Sequence, residues 1–362
     1  MSWVIEGWQM EAPGAPLRRR SRPIEGALAE GTVLVRVAAC GVCHTDLGFQ
    51  GGAVPTRHPL PLTLGHEVSG VVVDAGAGAE AWVGRAVVIP AVIPCGDCAA
   101  CRAGRGAICP RQIFPGNDDH GGFASHVVVP ARGLCPVDVA ALERRGLELA
   151  DLAVVADAVS TPYQAIRNAD LAAGDVAIFV GVGGVGLFGV QIARALGASV
   201  AALDVDPVKV ERARRAGAGF ARVVGRDEQR AVKSELKAWA KENRLPTAGH
   251  RIFETSGQPA GQALAFSLLN HGAHLGIVGY TPEPVSVRLS NLMALDATAR
   301  GTWGCLPEHY PAVVELVTSG QVDVTSATEK RPMSDINAVF EALHRGTIDR
   351  RPVLIPDFEA GR

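Results

Sequence analysis

A chain of 362 residues is too long for one ordinary hydrophobic core, so two domains are the expectation. Its formal net charge of -2, with Lys/Arg and Asp/Glu intermingled, sets up no overall field that would hold nucleic acid or an anionic membrane, which leaves a small molecule as the expected partner. Glu6 and Glu11 interrupt the N-terminal stretch and no apolar run follows a basic start, which argues against a secretory leader and for a cytoplasmic protein.

The N-terminal part is dense in short β-type runs punctuated by Gly and Pro. VLVRV at 33–37, VSGVVV at 68–73, RAVVIP at 85–90 and SHVVVP at 125–130 predict an irregular all-β unit. Two basic runs, Arg18, Arg19, Arg20 with Arg22 and later Arg350 with Arg351, lie beside prolines and read as solvated loops, or else as sites for an anionic substrate tail. From about Asp157 the texture changes. AIFVGVGG, VGLFGVQIARALGA, SVAALDVD and VKVERARRAGA alternate strand with helix, which builds a parallel sheet. The alternation continues through RIFETSG at 251–257, a helix-like stretch at 260–269 and HLGIVGY at 274–280. A helix at about 307–319 and a closing strand, PVLIP at 352–356, follow. Val176 to Ala193 carries no charge, yet Gly181, Gly183, Gly184, Gly186 and Gly189 make it strand, turn and helix instead of a membrane span. The domains expected are 1–156, with a small lobe at 94–110; 157–303, a doubly wound α/β unit; and 304–362, a segment returning to the first.

Strand-like VAIFV runs straight into GVGGVG, which places Gly181, Gly183 and Gly186 in the G-x-G-x-x-G pattern at the opening of a helix. The first glycine permits the tight turn, the second lets the backbone approach a pyrophosphate, and the third lets helix and strand lie close. N–H groups at the helix start, from Gly184 and Val185 onward, face the phosphates. Asp204 ends the next strand where a carboxylate accepts ribose hydroxyls and repels a 2′-phosphate, so NAD is favoured over NADP. Lys209, in the helix that follows, completes the expected cofactor site. A plain strand-end turn is the alternative for Asp204.

Of eight cysteines, Cys95, Cys98, Cys101 and Cys109 form C-x2-C-x2-C-x7-C. Four thiolates fill a tetrahedral zinc's coordination sphere, so this ion organises a loop and does no chemistry. The spacing matches neither ferredoxin-type iron–sulfur pattern.

CGVCHTD at 40–46 and GHE at 65–67 suggest a second metal site. Taken with the cysteine lobe, GGFASHVVVP at 121–130, GVGGVG and Asp204, they resemble the zinc-containing medium-chain alcohol dehydrogenases, in the same order and over nearly the whole chain. The resemblance implies a GroES-like catalytic domain, a Rossmann cofactor domain and two zinc ions, with Cys43 and His66 as ligands of the catalytic ion and Glu67 as a nearby carboxylate able to approach it. It further implies that Asp46 orients His66, that Thr45 binds the substrate hydroxyl and opens a proton relay, and that His44 lies by the pyrophosphate. Cys40 shares the motif without being the ligand. Asp157, in DAVSTPYQA, stands where the resemblance leads one to expect a cysteine ligand. An aspartate keeps the set at two anions and one imidazole; alternatively Asp157 is a polar residue ahead of a helix capped by Thr161 with Pro162 at its first position, and Glu67 or water coordinates. Gly48 replaces the histidine that many relatives place three residues beyond Thr45, leaving His58 or water to carry the proton on.

Longer stretches, PAVIPCGDCAACRAGRGAICPRQIFPGNDDHGGFASH and VRLSNLMALDATARGTWGCLPE, resemble the 6-hydroxycyclohex-1-ene-1-carbonyl-CoA dehydrogenases of anaerobic benzoyl-CoA breakdown. That implies a CoA-thioester substrate, whose phosphates call for Arg or Lys; Arg57, Arg300 and the Arg18–Arg22 run are candidates. A dehydrogenase of a free polyol or simple alcohol shares every metal and cofactor residue, and a non-catalytic scaffold is the third reading, opposed by joint retention of Cys43, His66, Glu67, Thr45 and the glycine turn. Relatives assemble as dimers or tetramers, so a homo-oligomer is expected.

Overall fold

The strand Thr32–Gly41 is apolar along most of its length because it lies inside a sheet, hydrogen-bonded on both edges. A computed structural model describes residues 3–225 and 228–358. On one edge the strand pairs antiparallel with Glu67–Ala75; on the other its first half pairs with His126–Pro130 and its last two residues with Arg351–Ile355. Ala86–Ile89 and Cys135–Pro136 extend the sheet one way, and Thr328–Pro332 extends it the other, beside Arg351–Ile355. A second small sheet joins Arg18–Pro23, Val4–Met10 and Leu62–Thr63. Between these layers Val33, Val35, Val68, Val87, Ile89 and Phe123 form a core that also takes in Phe340 and Leu354 from the end of the chain. Each such side chain, fully buried, contributes about 1.5–3 kcal/mol.

The chain divides into two units. One comprises Met1–Ser160, Gly304–Gly320 and Val324–Arg362; the other comprises Thr161–Trp303 and Gln321–Asp323. The first is therefore discontinuous, and the helix Tyr310–Thr318 and strands Thr328–Pro332 and Arg351–Ile355 all belong to it.

Within the second unit six parallel strands stand in the order Phe220–Val223, Ser199–Asp204, Val176–Val180, Arg251–Glu254, His274–Ile277, Thr298–Gly301. Numbered along the chain this is 3-2-1-4-5-6, the doubly wound order in which ligands bind beyond the strand C-termini where the order reverses. Val176–Val180, at the centre, has every residue buried, as a parallel strand covered on both faces must. Phe179 and Phe253 stack with centroids 4.9 Å apart on adjacent strands. No helix among the described residues is long and apolar enough to cross a membrane.

Three local expectations are corrected. Arg18–Pro23 is a strand, not a loop, and its arginines alternate along an exposed edge while pairing with Glu6 and Glu11. Arg351 is buried inside a strand, because a buried carboxylate awaits it. The helix expected to be capped by Thr161 begins one residue earlier, at Ser160, which keeps Pro162 in the first turn where its missing N–H costs nothing.

Gly189 lies within the helix Gly184–Ala195, and a Cβ there would press into the Phe179 ring. Gly189→Ala should lower stability by about 1–3 kcal/mol through overpacking, although alanine is the better helix former. Thermal or urea unfolding reads this; a variant as stable as the parent contradicts it.

Candidate functional site

The register of three strands builds the first site. Gly41 pairs with both Glu67 and Val353, so the C-terminal end of Thr32–Gly41, the start of Glu67–Ala75 and the start of Arg351–Ile355 meet at one end of the sheet. Two residues beyond Gly41, Cys43 caps the helix His44–Gln50; its N–H donates to Asp46 Oδ2 at 2.9 Å. Asp46 is fully buried, and its Oδ1 accepts from Gly65 N–H at 3.1 Å, tying the CGVCHTD turn to the residue before His66. Gly65 sits at φ +98°, and a Cβ would collide with Cys40 Sγ and Phe123. Cys40 is thus packing, its thiol pushed up by burial.

Ligand atoms of Cys43, His66, Glu67 and Asp157 lie within 4.8 Å of one another. Cys43 Sγ is 3.7 Å and His66 Nε2 3.5 Å from Asp157 Oδ2. Tetrahedral coordination with bonds of about 2.0–2.3 Å gives donor separations of about 3.3–3.8 Å, which both of these distances match. His66 is 1% exposed, and among the described residues neither ring nitrogen makes an aligned hydrogen bond, although Nδ1 faces Asp46 Oδ1 at 3.3 Å and Nε2 faces Asp157 Oδ2 at 3.5 Å. A buried imidazole nitrogen aimed at a thiol and a carboxylate, with no proton acceptor aligned to it, fits a metal ligand. Burial alone would strip its proton, yet Asp46, Asp157 and Cys43 outweigh burial and hold the His66 pKa well above its ordinary value. The cluster favours a cation at this point.

Glu67 is fully buried, and both its oxygens are taken by Arg351: Nε donates to Oε2 at 2.9 Å and an Nη donates to Oε1. Burial pushes the carboxyl up to about 7, with Arg351 opposing the rise. A Cβ on Gly41 would strike the Glu67 carboxylate, which is why the strand ends in glycine there. Asp157, at the end of the 3-10 turn Leu149–Ala156, is the donor nearest solvent, with its side chain 17% exposed. Thr45 Oγ1 lies 3.7 Å from Cys43 Sγ, and His44 is exposed at the helix start. Gly48 offers no side chain, and His58 does not join the donor set; it donates from Nδ1 to its neighbour Pro59's carbonyl and lines a separate cavity of about 430 Å³ with His120, Arg20 and Arg22. Sequence reasoning noted Arg351 in a basic run but missed its burial and its pairing with Glu67. A positive charge inside an otherwise apolar RPVLI strand was the available signal.

The four lobe cysteines form the second donor set, with Sγ separations of 3.4 Å for Cys98–Cys101, 3.7 Å for Cys98–Cys109 and 3.9 Å for Cys95–Cys101. Tetrahedral Zn–S bonds of about 2.3 Å give about 3.8 Å. Backbone N–H groups of Cys95, Cys101 and Arg111 point at sulfur, an arrangement that stabilises thiolates.

In the other unit the turn after Val176–Val180 is shaped by three different demands. Gly181 has φ +87° and a Cβ would hit the Ser256 backbone; Gly186 lies so near the Gly181 carbonyl and Thr255 that no Cβ fits; at Gly183 nothing lies within 4 Å. The middle glycine thus faces open space at the N-terminus of Gly184–Ala195, whose first residues, Gly184 and Val185, present their N–H groups there. Asp204 Oδ2 accepts from Val182 N–H at 2.7 Å and Oδ1 from Asp206 N–H at 3.0 Å, which brings the carboxylate against the glycine turn with lone pairs to spare. Lys209 reaches Asp206 at 3.8 Å on the exposed face of the next helix.

Comparison with known proteins places this geometry in context. Residues 29–139 match the family described as the alcohol dehydrogenase GroES-like domain, and residues 184–319 the family described as zinc-binding dehydrogenase. An alcohol dehydrogenase of Geobacillus stearothermophilus is 30% identical over 333 residues, 91% of this chain and 94% of that one. The crystal structure of the alcohol dehydrogenase from the archaeon Aeropyrum pernix superposes with a TM-score of 0.84 at 29% identity, covering 97% of this chain and 100% of that one. The structure of acetophenone reductase from Geotrichum candidum in complex with NAD gives 0.82 at 26% identity, covering 97% of each chain.

Arg351→Met should cost about 3–5 kcal/mol, because it strands a buried carboxylate, whereas Glu67→Met with Arg351→Met should recover most of that loss. Chemical unfolding of the two single variants and the double variant measures the coupling; additive losses would refute it.

Proposed function

Because the chain belongs to the zinc-dependent medium-chain alcohol dehydrogenase family, we propose that it oxidises a secondary alcohol with NAD as hydride acceptor, and that Cys43, His66 and Asp157 hold the zinc on which this depends. The observation that carries the ligand assignment is the buried, partnerless His66 Nε2 facing Asp157 Oδ2, while both Glu67 oxygens are committed to Arg351. Two anions and one imidazole would balance a divalent charge, and three protein ligands would leave room for substrate at the ion. When bound, zinc supplies Lewis acidity that makes an alcohol hydroxyl several pK units more acidic, and NAD supplies the hydride acceptor.

The chain's own groups do the rest. Asp46 orients the His66 ring, and Arg351 holds Glu67 beside the site as a fixed negative charge. Thr45 Oγ1 accepts the substrate proton and passes on its own; with no side chain at Gly48, water carries it outward. Gly183 leaves its space to the pyrophosphate, and Asp204 accepts from the ribose hydroxyls. The substrate carbon loses a hydride, its oxygen a proton, and a carbonyl forms. The cysteine lobe holds the second zinc as a structural brace.

The alcohol, on this reading, is the ring hydroxyl of 6-hydroxycyclohex-1-ene-1-carbonyl-CoA, oxidised to the 6-oxo thioester in anaerobic benzoyl-CoA degradation. The long stretches quoted at 90–126 and 287–308 support it, the first enclosing the cysteine lobe and both running well beyond the metal-ligand residues. Of the cations proposed for the CoA phosphates, Arg18, Arg19 and Arg20 are engaged by Glu11 and Glu6 and Arg57 by Asp118, which leaves Arg22 and Arg300 as the stronger candidates. The working form proposed is a homo-oligomer joined through the second unit, where the edge strand Thr298–Gly301 is exposed along its whole length.

NADH absorbance with cyclic β-hydroxyacyl-CoA thioesters, set beside free secondary alcohols and polyols, is the test. Turnover of thioesters is expected, with Cys43→Ala reducing kcat/KM by roughly a thousandfold or more, the loss of several kcal/mol of charge stabilisation. Turnover of free alcohols alone would end the CoA reading, and wild-type rates in Cys43→Ala would end the zinc mechanism.

A further inference from the structure

Several donors converge on one carbonyl, that of Ala156, the residue directly before Asp157. The Tyr310 hydroxyl donates to it at 2.5 Å, the Ser160 hydroxyl reaches it at 3.2 Å, and Ala91 N–H points to it at 3.3 Å. The Tyr310 oxygen in turn accepts from Ala91 N–H at 3.2 Å and Ser160 Oγ at 3.3 Å. Tyr310 is completely buried and begins the helix Tyr310–Thr318, 154 residues along the chain from Ala156. A phenol this deep is retained at the cost of desolvating its hydroxyl, and here its one proton goes to the Ala156 carbonyl while its oxygen accepts from Ala91 and Ser160, which themselves reach that carbonyl.

The location matters because the 3-10 turn Leu149–Ala156 stops at this peptide. Asp157 leaves the turn with φ -143° and ψ -59°, and its short side chain must then reach Cys43 Sγ and His66 Nε2. With only one carbon between backbone and carboxylate, the orientation of the preceding peptide plane decides where that carboxylate points. We infer that Tyr310 is a positioning residue for the metal centre, its hydroxyl fixing the Ala156–Asp157 peptide plane and thereby aiming Asp157 at the ion. The inference rests on Asp157 being the oxygen ligand. Ser160, with one proton divided among the Ala156 carbonyl, the Tyr310 oxygen and the Asp157 carbonyl at 3.5 Å, is the lesser partner.

The experiment uses the full-length zinc-loaded protein and compares Tyr310→Phe, Asp157→Asn and a core variant, Val317→Ala, made on the buried face of the same helix as Tyr310. Zinc loss to a mild chelator is followed per chain, and cobalt is substituted at the reaction centre so that its visible absorption reports ligand geometry. Tyr310→Phe should release one of two zinc ions at least about tenfold faster, with a shifted cobalt spectrum, in line with the effect of removing groups that orient a ligand. The cysteine-lobe ion should stay, and Val317→Ala should show neither change even where its melting temperature falls as far. Wild-type release and spectrum in Tyr310→Phe, or parallel loss of both ions, would overturn the inference. Asp157→Asn separates the two claims: if it too keeps the wild-type spectrum, the ligand assignment fails, and if it alone loses the ion, only the role of Tyr310 fails.

Discussion

The pairing of Gly41 with Glu67 on one side and Val353 on the other is the constraint from which the site follows. That register sets three chain segments, distant in sequence, at one end of a sheet. A shift of one residue in either ladder would turn Glu67 or Arg351 to the opposite face, since side chains alternate along a strand. The bidentate Arg351–Glu67 contact locks the register chemically, because only one alignment leaves neither charge buried alone.

Electrostatics then explain why the donor set stays poised. Cys43, Asp157, Asp46 and Glu67 surround one imidazole, and Glu67 is held by the Arg351 guanidinium. The donors Cys43 Sγ, His66 Nε2 and Asp157 Oδ2 converge on one point, where a cation is favoured. The lobe of four cysteines reaches the same outcome with sulfur alone and closes its coordination sphere, which suits it to bracing a loop.

Much of this was legible in the sequence wherever function is written in local spacing. The glycine turn shows three steric signatures for three glycines, and the lobe cysteines stand at tetrahedral separations. What escaped depends on partners far along the chain. Arg351 looks like half of a solvated pair until Glu67, 284 residues away, is placed beside it. Tyr310 looks like an ordinary core aromatic until its hydroxyl is traced to Ala156. The basic run at Arg18–Pro23 reads as loop because charge masks period-two pairing on an exposed edge. The spacing of residues within one motif conveys none of these long-range relations.

The interrupted first unit has a consequence for biosynthesis. The residues proposed to hold its metal, Cys43, His66 and Asp157, all leave the ribosome before the segment bearing Arg351 exists, while the parallel-sheet unit, nearly continuous in the chain, is complete earlier. During that interval the Glu67 carboxylate is without the Arg351 guanidinium, and the sheet is without the strands Thr328–Pro332 and Arg351–Ile355. The strand Arg351–Ile355, translated after all of these groups, then brings the guanidinium that neutralises Glu67.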